Sequence, residues 1–144
     1  MEKKDIGYLM KNINDRLKVI ADADLKAYNL TLTQSRVMAF LEDKGGQATQ
    51  KEIQLFLRVS HPTVVGIVSR MEQNGHLVSW IDEQDRRNKI VRLTDRAAAL
   101  GAAMKEGIAN IENIMLSSLS DEEVEHLRTT LMTICRNLED KIKK

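Results

Sequence analysis

The hydrophobic positions of this chain follow two rhythms, one of three to four residues and one of two. Ile6, Leu9, Met10, Ile13, Leu17 and Ile20 step by threes and fours, so they share one stripe of a helix. A helix of about 22 residues with that stripe is roughly 33 Å long. Tyr28 and Leu30 extend the apolar pattern, and Asn29 reads as its stop. Thr33 is the expected N-cap of a second helix carrying Val37, Phe40 and Leu41. Gly45-Gly46 ends it. Thr49, with Glu52 three residues on, has the form of a capping box. It opens a short helix whose apolar face is Ile53, Phe56 and Leu57. Ser60 is again an N-cap type, and Pro62 fits a first helical turn. A fourth helix therefore starts there, with Val64, Val65, Val68 and Met71 facing inward and Gly75 closing it.

The rhythm then changes. Leu77, Val78, Trp80 and Ile81 read as one strand, and Ile90, Val91 and Leu93 as another. The stretch between them, Asp82 to Lys89, is polar throughout. Two short strands joined this way form a β-hairpin with a long charged tip. Helical spacing returns after Thr94-Asp95, with Leu100, Met104, Ile108, Ile111 and Met115 on one face of a single long helix. Gly101 and Gly107 inside it are places for a bend or for close packing. Ser120 and Glu123 form a second capping box. Behind them, Val124, Leu127, Leu131, Ile134, Leu138 and Ile142 line a last helix.

The pattern predicts a mainly α fold with a small β-hairpin: a winged helix-turn-helix unit at residues 33–94, flanked by dimerisation helices at 1–30 and 95–144 within a single domain. The stripes on the outer helices need a surface the winged unit does not supply. Ile6, Leu9 and Ile13 at one end, and Leu127, Leu131, Ile134 and Leu138 at the other, are expected to close a two-fold homodimer. The alternative is that they fold back onto the unit in a monomer.

Composition narrows the class. With one Pro, 3% aromatic and 42% hydrophobic residues the chain suits an ordinary helical protein. No apolar run approaches the ~20 residues of a membrane span, and the charged start, Met1 to Asp5, has no apolar segment behind it. One Cys allows no internal disulfide, which fits a reducing cytoplasm. Cys135 lies beside Ile134 near the last apolar stripe and is expected to be a buried structural thiol. The net charge is only +1, but residues 44–96 carry nine Lys/Arg against six Asp/Glu, so the middle is the basic part.

The chemistry lies there as well. B-DNA's major groove admits one helix, whose N-terminal residues reach the bases. The first turn of the fourth helix offers Ser60, His61, Pro62, Thr63 and Val64, with hydroxyls and a ring that both donate and accept. Arg70, further along, can reach the phosphate backbone. Equally, Ser60 can serve only as a cap, and Arg70 can pair with Glu72 or Asp43. The hairpin tip carries Arg86, Arg87 and Lys89, cations suited to a narrow minor groove. Asp85 beside them can bond a guanidinium or turn N–H groups and so aim Arg87. A solvated charged turn is the plainer meaning of the same run. His76 and His126 are isolated, no cluster has metal spacing, and no nucleophile, base and acid group together, so neither a cofactor nor an enzyme is expected.

Asp85-Arg86-Arg87 followed by Val91-x-Leu93-Thr94 resembles the wing signature of the MarR family. Ser60-His61-Pro62-Thr63-Val64, with Arg70-Met71-Glu72-Gln73-Asn74-Gly75-His76-Leu77-Val78, resembles that family's recognition helix and its exit. Where the family often has Gly after Leu-Thr, this chain runs Arg96-Ala97-Ala98-Ala99. The resemblance implies a homodimer on double-stranded DNA at a pseudo-palindromic operator. Arg87 would enter the minor groove, with Asp85 orienting the wing. The expected function is a sequence-specific transcriptional regulator, a repressor, relieved by a small-molecule effector in a crevice between the first helix and the winged unit. The alternative is a winged-helix module that meets an acidic protein rather than DNA.

Overall fold

A computed structural model describes residues 5–143 of the chain. In order they form α1 (Ile6–Leu25), a 3-10 turn (Lys26–Tyr28), α2 (Leu32–Asp43), β1 (Gln47–Thr49), α3 (Gln50–Leu57), α4 (His61–Gln73), β2 (Leu77–Ile81), β3 (Lys89–Leu93), α5 (Asp95–Ala99), α6 (Gly101–Leu116) and α7 (Asp121–Ile142). The chain divides into two compact units, one ending at Ile111 and the other beginning at Glu112. The division falls inside α6.

The first unit holds the winged helix. Most of α1 is exposed, but Ala21 and Leu25 in its last turns are buried and belong to the same core as α2, α3 and α4. The helix stops where Asn29 turns left-handed (φ 56°), as its place in the sequence suggested. The cap of α2 is Thr31 and not Thr33. Thr31 Oγ1 accepts from Gln34 N–H at 3.2 Å, and Gln34 Oε1 accepts from Thr31 N–H at 3.1 Å. Both threonines are cap types; the Gln three residues after Thr31 selects between them. Asp22 on α1 adds a third bond, accepting from Leu32 N–H at 3.0 Å. The end of α1 and the start of α2 are therefore one joint.

Gly45 and Gly46 take left-handed φ of 80° and 101° and close α2. The chain then enters β1, a strand that three residues with no alternation did not announce. The sheet is antiparallel in the order β1-β3-β2, with Ala48 opposite Val91 and Leu77 opposite Leu93. Those four side chains are buried and close one side of the core. The opposite side is made by Leu41, Ile53, Val68 and Met71, all but inaccessible to solvent. Phe56, expected inside, is half exposed and stacks on Phe40 at 4.5 Å. The long helix expected after Thr94 is two, broken at Leu100. Gly101 begins the second, where a Cβ would lie 2.9 Å from the Glu42 carboxylate, so the Glu42 side chain lies against the start of α6.

In the second unit Ser120 and Glu123 form the expected capping box, each bond 3.1 Å. No residue of α7 is buried. Met115, Leu116, Val124, Leu127 and Leu131 line an open apolar groove of about 390 Å3. Cys135 is exposed and lies on the same groove. Its expected burial fails for a simple reason: nothing in this unit covers the stripe beside it. Among the described residues no helix is long and apolar enough to cross a membrane.

The cap assignment is open to a direct check. Thr31→Ala should lower stability by about 0.5–2 kcal/mol. Thr33→Ala should stay within about 0.5 kcal/mol of the parent. Urea unfolding of both variants measures the difference; equal losses would return the cap to Thr33.

Candidate nucleic-acid interface

Helix α4 is set in place by one face. Val64, Ile67, Val68 and Met71 recur at the i, i+3, i+4, i+7 spacing of a buried stripe, and all four are buried. Val64 is thus a core residue, fully inaccessible, and does not present its side chain to a ligand as the sequence had suggested. Val65, assigned inward beforehand, is exposed. Ile67 was the missing signal: with it in place of Val65 the stripe keeps Val64, Val68 and Met71 but shifts its centre to the other side, and Val65 falls outside it.

The bare face then carries His61, Pro62, Thr63, Val65, Ser69 and Arg70, all exposed. Ser60 caps the helix, its Oγ accepting from Thr63 N–H at 3.3 Å. The two hydroxyls also bond each other at 2.9 Å. Ser60 therefore has the capping role first, and Thr63 shares its hydroxyl with the cap. The Arg70 guanidinium lies back along the helix over Gly66, about 3.5 Å from where a Cβ would sit. It pairs with neither Glu72 nor Asp43. The Glu72 carboxylate instead accepts from the Ser79 hydroxyl, tying the end of α4 to β2. First-turn N–H groups, a positive dipole end and exposed donors together suit a phosphate-lined groove.

The tip between β2 and β3 is ordered by its own acids. Asp82 N–H donates to the Asn88 carbonyl at 3.0 Å, and Asn88 N–H to the Asp85 carbonyl at 2.9 Å. Asp82 Oδ1 accepts from Gln84 N–H at 3.0 Å. Asp85 holds Arg87 three ways: Oδ1 accepts from Arg87 N–H at 3.2 Å and from Nε at 3.0 Å, and Oδ2 accepts from Nη2 at 3.0 Å. The Arg87 side chain nonetheless stays 90% exposed. These side-chain and backbone bonds from Arg87 hold the Asp85 carboxyl below the usual carboxylate range, and the carboxylate raises Arg87 in turn. Arg86 is exposed beside it. Lys89 is not in the tip but is the first residue of β3, half-buried and paired with Ile81. Arg92, not singled out from the sequence, is exposed on the outer face of β3, where it stands opposite Val78.

The residues expected to pair two copies are exposed apolar side chains here. Ile6, Leu9 and Ile13 are open on α1, and Leu127, Leu131 and Leu138 on α7, with Ile134 half-buried. Besides the α7 groove, a cavity of about 490 Å3 of mixed lining is bounded by Glu42, Gly46, Gln47, Arg92, Leu93 and Ala98. Neither cavity has an α1 residue in its wall. Among the described residues no three His, Cys, Asp or Glu come together as a metal site.

Known proteins resemble this chain in sequence and fold. The family model described as MarR family matches residues 28–88. The chain is 31% identical over 124 residues to the HTH-type transcriptional regulator YwoH of Bacillus subtilis, covering 82% of this chain and 87% of that protein. It is 29% identical over 119 residues to the HTH-type transcriptional regulator PecS of Dickeya dadantii, covering 81% and 72%. Among solved structures, the Staphylococcus aureus MepR–DNA complex superposes with a TM-score of 0.86 at 26% identity, covering 94% of this chain and 99% of MepR.

The Asp85–Arg87 grip makes its own prediction. In Asp85→Ala the Arg87 Nε–H should exchange with water several times faster than in the parent, while global stability is unchanged, since an exposed pair contributes little. In the parent the slow exchange should persist as the pH falls to the ordinary Asp value and be lost only in stronger acid. Nitrogen-detected NMR of the guanidinium follows both; equal exchange in the two proteins would remove Asp85 from its orienting role.

Proposed function

Because the chain belongs to the MarR family of transcriptional regulators, we propose that it acts as a homodimeric repressor on a pseudo-palindromic operator. The first turn of α4 enters the major groove, and Arg87 at the hairpin tip enters the adjoining minor groove. The observation that carries this reading is the tip itself: an Arg87 side chain 90% exposed, yet with its guanidinium fixed by two bonds and its backbone N–H by a third to a single carboxylate. A cation meant only for solubility needs no such fixing. A narrow groove rewards it, because the negative potential there is concentrated and an ordered guanidinium loses little freedom on entering. The MepR–DNA complex, with the same fold over nearly the whole chain, supports duplex DNA as the ligand.

Two copies are favoured by the apolar faces. Leu131 is 42% exposed and Leu138 60% exposed on α7, in register with one another at helical spacing. A second copy of the chain covers such a stripe by symmetry. It also sets two recognition helices about 34 Å apart, one turn of the duplex. Relief by a small-molecule effector beside α1 finds no support in the cavities described and forms no part of this proposal.

Arg87→Ala should weaken binding to every duplex tested. It should also make the log–log salt dependence shallower by about 0.9 per guanidinium removed. Fluorescence anisotropy at several salt concentrations reads both, and parent-like curves would contradict the wing assignment. Absence of any binding by the parent, even at low salt, would favour the protein-interaction reading. Leu131→Asp should shift the dimer toward monomer at least tenfold, as measured by sedimentation. An unchanged dimer would place the interface elsewhere.

A further inference from the structure

The turn that ends α4 puts a histidine where the geometry favours an apolar residue. Gly75 is left-handed (φ 81°). Its N–H donates to the Glu72 carbonyl at 3.0 Å, and the N–H of His76 reaches back to the Met71 carbonyl at 2.9 Å. This two-bond closure turns the residue after the glycine against the apolar side of its helix. His76 obeys it, and its ring is fully buried.

The ring is not idle there. Its Nε2 lies 3.0 Å from the carbonyl oxygen of Tyr28, in the 3-10 turn that ends α1, 48 residues earlier. A carbonyl oxygen only accepts, so Nε2 carries the hydrogen. Nδ1 then keeps a bare lone pair, buried and without a hydrogen-bond partner among the described residues. The backbone carbonyl of His76 accepts from Thr94 N–H at 3.1 Å, where β3 hands over to α5. One residue therefore joins the end of α1, the exit of α4 and the base of the wing.

The surroundings favour the neutral ring. The 3-10 turn presents the Tyr28 carbonyl, which Nε2 already uses. The helix α4 presents backbone, and the seam after β3 presents Thr94, whose hydroxyl donates to the carbonyls of Gly75 and His76. The charge acting on the ring comes from α5 and is positive, that of Arg96, whose guanidinium reaches to 3.3 Å from where a Cβ on Gly75 would sit. A second proton on the buried ring would meet no acceptor among the described residues and would face a cation.

We propose that His76 is a positioning residue for the recognition helix: its neutral ring pins the exit of α4 to the end of α1, and protonation releases the pin and weakens DNA binding. The last clause rests on the DNA-binding reading above; the joint does not. Burial is the largest influence holding the ring below its ordinary value of 6.5; the Tyr28 bond opposes it and Arg96 adds to it. The unfolded chain therefore binds a proton near pH 6.5 that the folded chain still refuses. Stability is complete above that value, falls as the pH drops below it, and levels off below the lower, folded value.

The test compares the full-length parent with His76→Gln, whose side-chain amide can donate to the Tyr28 carbonyl but does not titrate. Unfolding followed by Trp80, the lone tryptophan and a β2 residue, should destabilise the parent more than the variant between about pH 7.5 and about pH 5.5. The affinity of the folded protein for duplex DNA should fall more in the parent only at still lower pH, where the folded ring itself takes up the proton, by at most about tenfold per pH unit. Both proteins keep His61, so any contribution it makes cancels in the comparison. Coincident pH profiles for the two proteins overturn the proposal. Should His76→Gln fail to fold, the parent alone decides by NMR: a His76 ring titrating at the ordinary value overturns it, and one titrating well below supports it. Ring and unfolding profiles as expected, with no DNA binding at either pH, would instead overturn the proposed function and leave the joint standing.

Discussion

Everything the winged unit offers to a partner depends on α4 being buried along one stripe and bare along the other. Val64, Ile67, Val68 and Met71 are all closed from solvent. They meet side chains from α2, α3 and the sheet that are equally closed. A rotation by the angle of one residue would drive Val65 into that core and expose Val64. The lost packing would cost more than any surface contact could return. Core packing therefore fixes which side chains look outward: His61, Thr63, Val65, Ser69 and Arg70. The ends are fixed as firmly, by the Ser60 cap at one and the Gly75 turn at the other.

The hairpin tip is positioned by different physics. It has no core beneath it, and its order comes from short-range bonds between neighbours. The Asp85–Arg87 pair is open to solvent, so its importance is geometric and not a matter of stability. Asp85 looks misplaced next to a polyanion. Its cost there is offset because a guanidinium has five donors, and Asp85 occupies only Nε and Nη2. The remaining donors point to solvent, ready for a second acceptor. The molecule thus combines a reading helix held by packing with a tip held by an ion pair, and the two respond to different perturbations. Core substitutions would move the helix; salt and acid would act on the tip.

How far the sequence reached follows from the range of the forces involved. Helical stripes, the caps at Thr49, Ser60 and Ser120, the stop at Asn29 and the hairpin with its charged tip were legible, because each is decided within four or five residues. The three-way hold of Asp85 on Arg87 was legible for the same reason. What lay outside its reach needed a neighbour distant in the chain. The strand β1 exists because β3 lies beside it. Leu100 breaks a helix where Gly101 passes Glu42. Cys135 is exposed because its unit brings nothing to cover it. His76 read as an isolated histidine until the fold set the Tyr28 carbonyl against its ring. Local pattern, then, determined which elements form and where the candidate chemistry sits. Only the packing of those elements decided which way each side chain faces, since burial and the pairing of buried polar atoms belong to whatever closes over a residue and not to the residue alone.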